Sequence, residues 1–471
     1  MIENQGQPQG IAPTYTYPTR LITVFGALIL SLVVFVLGAN EAVGADKKTS
    51  AGNAKTINLW THHEDISTEY GAVKASAARY NAGRHGYRVE IRLFGKSDYD
   101  GQINQAAANG SLPCLLEADG PHLYTLAWRG YLQPIEQWLP KPLLDDVLPS
   151  ILAQGRYDGH LYSLGQFDSG LALWGNRRLL NKAGVRMPTL KAPWTLAEFE
   201  QVLDKVSKLP DTVAAIEMGT NDNVAEFYPY AFSPILQGFG GDLIERNSYR
   251  SAKGVLDGPQ SVTAMAHFQQ WFNKGWAKQD AVLTEVNGQR KVILNRFDQL
   301  ASDYFANGKT ALSWLGHWRY RWYQQKLGKD LLLLPMPDFG RGIKTGMGSW
   351  SIAMSSSCGD PKAAADFLVF LMSEQEIRRM TDANGAVPAR RSVLAKSPLY
   401  GERGPLRLYT QQLNAGLAVP RPQTPAYSTI SKTFAGAAVA IIAGADVQTE
   451  LSRAAELIDR DIAENLGYQS Y

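Results

Sequence analysis

Residues 157–185 read YDGHLYSLGQFDSGLALWGNRRLLNKAGV, and their reading organises the rest of the chain. Tyr157-Asp158-Gly159 is a turn signal. Leu161-Tyr162-Ser163-Leu164 alternates and predicts a strand. Gln166 to Gly170 is polar and flexible. Leu171 to Trp174 is a second apolar segment, which passes through Gly175-Asn176 into a basic helix.

Towards the N-terminus, Ile57-Asn58-Leu59-Trp60 predicts a first strand, and Thr61-His62-His63-Glu64-Asp65 a polar loop. Tyr70 to Asn81 predicts a helix with Tyr70, Val73 and Ala77 on one face. Tyr87 to Leu93 alternates as a strand, and Asp98 to Asn109 is helical until Gly110-Ser111. Pro113 to Ala118 predicts a third strand, ending at Asp119-Gly120-Pro121. Strands alternating with helices predict an α/β domain with a mostly parallel sheet. Towards the C-terminus, Pro193 to Phe199 opens a helix, with Thr195 as N-cap and Glu198 completing a capping box.

A chain of 471 residues predicts two or three domains. The apolar content is 45%, with 24 prolines and 43 glycines, as in a globular protein without repeats. The net charge of +3 gives no reason to expect a nucleic-acid partner. Arg20 precedes an uncharged apolar run, Leu21 to Asn40, and Val43-Gly44-Ala45 offers small residues to a signal peptidase. Residues 1–45 are therefore expected to be a signal peptide, with an uncleaved anchor as the alternative. Residues 46–55 read as a disordered leader. No cysteine lies near residue 45, so no lipoprotein anchor is expected. The expected location is extracytoplasmic.

The 157–185 stretch resembles the lobe crossover of bacterial extracellular solute-binding proteins of ABC transporters, in the carbohydrate-binding family that includes maltose-binding protein. Gly175-Asn176 stands where that family has Tyr-Asn, and Leu164-Gly165 where it has Val-Pro. Further matches follow in order. They are Ala106 to Cys114, Gly130 to Ile135, Pro193 to Phe199, Gly240 to Leu243, Asp257 to Val262, Phe297 to Trp318, Pro335 to Trp350, Pro361 to Met372, and Gly385 to Arg391. They span Ile57 to about Ile462. The resemblance implies an α/β periplasmic-binding-protein type II fold, with two α/β lobes, three crossovers and a ligand cleft between them. Lobe one would be 56–168 plus 338–384, and lobe two 169–337 plus 385–471. The crossovers fall near 165–171, 335–340 and 384–390. It further implies a periplasmic monomer that hands a sugar or oligosaccharide to ABC permease subunits of the inner membrane after hinge closure.

Two other functions fit parts of the sequence. One is a receptor for a phosphorylated or charged polyol, such as a glycerol phosphodiester, read by Arg319, Arg321, Arg390 or Arg391. The other is a cleft enzyme. No H-E-x-x-H or G-x-S-x-G occurs, and Gly308-Lys309-Thr310 lacks the phosphate loop's first glycine, position 303 being Asp. His62-His63-Glu64-Asp65 resembles a metal site, but adjacent side chains on an extended loop point apart. No catalytic residue, cofactor or metal is expected.

A sugar needs aromatic rings for its C–H faces and planar polar groups for its hydroxyls, because an unpaired buried hydroxyl is costly. Polar loops at strand C-termini supply such groups in α/β folds. The ligand-binding candidates are Trp60, His62, Glu64 and Asp119 in lobe one, and Asp168 at the crossover. Tyr228, Tyr230, Gly316, Trp318, Gly348, Trp350 and Tyr427 complete them. In the family, an aromatic at the Trp318 position stacks on sugar, and a Gly-rich turn at Gly346 to Gly348 lines the cleft. Each has a plainer alternative: Trp60, Tyr228 and Tyr230 as core, Asp168 as a turn cap, Asp119 as a cap for the next helix. Trp128, Trp138, Trp194, Trp271, Trp276 and Trp314 are read as structural. Cys114 and Cys358 are the only cysteines, an even pair in an oxidising compartment. The family fold implies that their strands run antiparallel side by side, which permits a disulfide; two buried thiols are the alternative.

Overall fold

The computed structural model describes residues 55–62, 68–83, 86–95, 99–220, 225–278, 281–286, 289–294 and 303–469. The signal peptide, nearly all of the leader, and Glu64 lie outside them. Gly52–Tyr471 is one compact unit. Among the described residues no helix is long and apolar enough to cross a membrane.

The 157–185 stretch folds into the link between two sheets. Asp158 and Gly159 both have positive φ, 46° and 83°, and join Arg156–Tyr157 to His160–Leu161 as a two-residue hairpin. The expected strand from Leu161 is broken into two, His160–Leu161 and Ser163–Leu164, because the Tyr162 N–H turns back to the Gly155 carbonyl. Leu171–Asn176 is a wholly buried strand. Asn176 ends it and caps the Arg177–Lys182 helix by accepting from the Leu179 N–H at 3.2 Å. Gly175 is required by packing: a Cβ there would lie 2.9 Å from a Leu334 methyl and 3.1 Å from one of Leu180.

The first sheet orders its strands Tyr87–Leu93, Lys55–Thr61, Leu115–Asp119, Trp350–Met354, Ser163–Leu164. The first three run parallel. Trp350–Met354 runs antiparallel to both its neighbours, as the family fold implies, so the sheet is mostly parallel, as expected, with this one strand reversed. The two sheets, each with its own core, divide the described residues into two halves, and this strand is reversed because the chain re-enters the first half from the second. The second sheet orders Leu331–Leu334, Leu171–Asn176, Leu312–Gly316, Ile216–Glu217. One apolar core gathers around the second sheet, including Trp174, Trp271, Trp314, Phe232 and Phe268. Two smaller cores flank the first, around Leu59, Leu115 and Phe367, and around Tyr99, Leu116 and Ala353. The Thr195 capping box forms as the sequence indicates, with Thr195 and Glu198 each bonding the other's backbone.

The chain passes between the sheets three times: from Ser163–Leu164 to Leu171–Asn176, from Leu331–Leu334 to Trp350–Met354, and after the Glu374–Asn384 helix. The passages are tied by short pairings. Phe167–Asp168 runs beside Val387–Pro388, and Thr345–Met347 runs parallel to Ala418–Pro420. Cys114 and Cys358 are joined in a disulfide, their Cα atoms 4.3 Å apart. The register explains this: Leu115 lies opposite Met354, and the Ser355 N–H reaches the Cys114 carbonyl at 3.1 Å.

Candidate functional site

Leu115–Asp119 is the central strand of the first sheet and is buried throughout. Such strands are normally continuous apolar runs. This one reads LLEAD, and its period of two puts Glu117 and Asp119 on the same face. Each carboxylate has built a cluster around itself.

Glu117 holds His62. Its Oε2 lies 2.9 Å from the His62 Nδ1 and accepts the His62 backbone N–H at 3.3 Å. The imidazole is stacked on Trp350, 3.3 Å between centroids and 5° from parallel. Trp60, at the end of the first strand, packs on Phe94 at 4.8 Å and lies under the Arg92 guanidinium at 5.2 Å. Among the described residues no group of three or more His, Cys, Asp or Glu is arranged to hold a metal.

Asp119 holds Arg421. Arg421 donates from Nη2 to Asp119 Oδ1 at 2.7 Å and from Nη1 to Glu226 Oε1. The guanidinium carbon stands 5.2 Å from the Tyr230 ring centroid. Gly348, at φ 124°, lets the guanidinium approach; a Cβ would sit 2.7 Å from Nη2. Glu226 also accepts from the Tyr427 hydroxyl at 2.7 Å and from Ser431 at 2.6 Å. Burial pushes the Asp119 carboxyl up, but the Arg421 charge outweighs it and holds the group below its usual range. Burial wins at Glu226, which is raised despite Arg421. Burial also works against the Arg421 charge, yet the two carboxylates more than restore it. Trp350 lies opposite Asp119 in register, so the Glu117 and Asp119 clusters are neighbours.

A third group sits where the halves join. The Tyr230 hydroxyl donates to Ser169 Oγ at 3.2 Å, and Ser169 Oγ lies 2.8 Å from His317 Nε2. His317 Nδ1 lies 3.0 Å from the Asn384 carbonyl, which only accepts. Nδ1 therefore carries the proton, and Nε2 accepts from Ser169. Burial pushes the His317 pKa down. A histidine depressed in the folded state contributes stability that is present above its unfolded pKa of about 6.5 and is lost as pH falls below it. Urea midpoints measured from pH 8 down to 5 are expected to fall more steeply for the parent than for His317→Gln. Superimposable pH profiles would remove His317 as the titrating group.

The structure thus brings Asp119, Tyr230, Gly348 and Tyr427 around Arg421, and His62 and Trp350 around Glu117. Trp318 is 39% exposed, its ring lying over Gly316 and 6.1 Å from Tyr230. Asp168 is buried behind them. It accepts from the Ser169 N–H at 2.9 Å and Gln154 at 3.1 Å, and burial raises its pKa. Tyr228 is packed on Phe227 and Phe232 and donates to the Thr220 carbonyl at 3.0 Å, away from the Arg421 cluster. Sequence reading overlooked Glu117, Glu226 and Arg421. Two of these carried a signal: Glu117 is an acid inside an apolar strand, and Glu226 stands four residues before Tyr230 on one helix face.

A profile of the bacterial extracellular solute-binding protein family matches residues 75–402. The chain belongs to that family. The fold of this solute-binding protein is that of the maltose-binding-protein-like type II class. The GacH receptor of Streptomyces glaucescens, solved unliganded and with acarbose and an acarbose homologue, shares 19% identity. That match covers 89% of this chain and 99% of the other, with a TM-score of 0.71. An ABC substrate-binding protein of Listeria monocytogenes in complex with cycloalternan shares 17% identity over 87% of this chain and 99% of its own, with a TM-score of 0.72. In sequence, a Streptomyces antibioticus protein named an uncharacterised lipoprotein in the oleD 5′ region is 22% identical over 344 residues, 70% of each chain.

Proposed function

We propose that this solute-binding protein is an extracytoplasmic receptor that binds a neutral sugar or oligosaccharide between its two halves and delivers it to an ABC importer. The halves act as lobes with the boundaries inferred from the sequence, and the three passages act as the hinge. The observation that carries the reading is the meeting of aromatic faces and carboxylates from both halves. Trp350 on His62, with Asp119, comes from the first sheet; Tyr230, Trp318 and Glu226 come from the second half. The relatives named for acarbose and cycloalternan complexes support a carbohydrate ligand. The arrangement is suited to binding, and no catalytic role is assigned to any of these residues.

The charged-polyol reading is not favoured. Arg319 is paired with Asp303, Arg390 donates to Asp146 at 2.7 Å, and Arg391 donates to the Asp145 carbonyl at 2.5 Å. Arg421 is neutralised by two carboxylates. Arg321 is exposed on the Tyr320–Leu327 helix, and an anionic ligand at the candidate site would meet Asp119, Glu226, Glu117 and Asp168.

Thermal-shift screening and calorimetry against neutral and anionic mono- and oligosaccharides test the reading. At least one neutral sugar is expected to bind, and Trp318→Ala is expected to weaken it by about 1–3 kcal/mol with the fold retained. Binding of anionic polyols alone would overturn the proposed ligand class. An unchanged dissociation constant in Trp318→Ala would make that ring structural.

A further inference from the structure

The His122–Trp128 helix belongs to the first half, where Leu123, Tyr124, Leu126 and Ala127 pack with Leu116, Ala118 and Ala353. Its opposite side faces the C-terminal part of the chain, which packs in the core of the second half. His122, Thr125 and Trp128 are spaced by three, so they follow one side of the helix. His122 Nδ1 lies 3.1 Å from Ser428 Oγ. The Thr125 hydroxyl donates to the Pro425 carbonyl at 2.7 Å. The Trp128 indole donates to the Gln469 carbonyl at 3.0 Å, and Tyr468 packs edge-on against its ring at 4.8 Å and 79°. Alongside them, Gln423 donates to the Ala153 carbonyl at 3.2 Å, and Arg421 reaches Asp119.

The tail that supplies Tyr468 is held in a costly conformation. Leu466, Gly467 and Tyr468 all have positive φ, 53°, 72° and 53°, and two of them carry side chains. Such a run persists only where its surroundings over-determine it. Here the Tyr468 hydroxyl donates to Asp461 at 2.6 Å and accepts from Asn465 at 3.1 Å. These bonds fix the ring that meets Trp128. Leu466 itself is 75% exposed, so burial of its own side chain does not explain the turn.

We propose that this seam is a clasp between the halves, with the C-terminal tail as its outer hook, and that it populates the closed arrangement through the chain's own groups without a bridging ligand. The proposal rests on reading the two halves as moving lobes. If the open form is the one that admits ligand, the clasp lowers its fraction and slows association in proportion. Loosening the clasp then raises the association rate.

The test uses the chain without residues 1–45, which precede the compact unit Gly52–Tyr471. Any bound solute is first stripped by unfolding, dialysis and refolding. Small-angle scattering is compared for the parent, Trp128→Ala, Thr125→Val, and a chain ending at Asn465. The parent is expected to scatter as the closed form, and each variant to show a larger radius of gyration while retaining a cooperative melt. One common radius for the parent and every variant that folds would overturn the clasp. The truncation removes only the six residues after Asn465, so it decides the matter if Trp128→Ala does not fold. No carbohydrate enters the comparison, so a negative result leaves the receptor reading to the sugar screen.

Discussion

Arg421→Met is expected to cost about 3–5 kcal/mol of folding stability, the range for removing one partner from a buried ion pair. Arg421 is 6% exposed and stands between two carboxylates that are themselves 9% and 6% exposed. Without it, Asp119 and Glu226 are left buried with no guanidinium between them. Their folded pKa values would then be raised, so stability in the variant would be retained at low pH and lost as pH rises through those values. The parent behaves oppositely at Asp119. There the depressed carboxyl contributes stability above the ordinary carboxylate range, and this is lost on acidification. Asp119→Asn with Glu226→Gln in the Arg421→Met background is expected to recover much of the loss, because hydrogen-bonding amides of similar shape replace the stranded charges. Urea unfolding gives each difference from the midpoint and slope. A change below about 1 kcal/mol, the size of an ordinary substitution, would mean that the three groups are not held as a desolvated unit.

Arg421 also marks where sequence reading stops. Its partners lie 302 and 195 residues away, and the segment around it, VPRPQTPAY, offers no motif. Its importance comes from the Thr345–Met347 and Ala418–Pro420 pairing, which lays residue 421 across the end of the central strand. Local rules cannot produce that pairing. Glu226 was nearer to hand. In the helix Phe227–Phe239, residues two apart point in different directions, so Tyr228 and Tyr230 cannot both face one ligand. Tyr228 meets Phe232 four residues on, whereas Tyr230 shares its side with Glu226 and Arg421. Helical phase applied to residues 226–230 separates the two tyrosines and selects Glu226.

Other features were legible because they are local or because an order of motifs specified them. Asp158-Gly159 needs two positive φ angles, and Thr195 with Glu198 needs only one turn of helix. The change from one sheet to the other at Leu164 to Leu171 follows from two apolar segments separated by a polar one. The direction of Trp350–Met354 is different in kind. Nothing in WSIAM distinguishes a parallel from an antiparallel strand, and only the family's order of crossings predicted its return.

That return sets up the second large effect. Trp350 and Asp119 pair at the C-terminal end of the central strand, and Met354 and Leu115 pair at the other. The Cys114–Cys358 bond therefore ties the end remote from the candidate site. It joins two parts of the first half that are 244 residues apart in sequence. Closing so long a loop restricts the unfolded chain, and the chain-entropy account puts the stabilisation at about 4–5 kcal/mol. A thiol count on the denatured, unreduced protein is expected to find none. The Cys114→Ser/Cys358→Ser double variant is expected to unfold at a distinctly lower denaturant concentration. Its affinity for whichever sugar the screen identifies should stay at the parent value, because the strand separates the bond from Asp119 by roughly 13–17 Å at 3.3 Å per residue. Two free thiols in the oxidised protein would eliminate the bridge. An affinity that falls with the bridge would show that the central strand transmits its restraint to the Asp119 end, so that the cysteines act on binding as well as on stability.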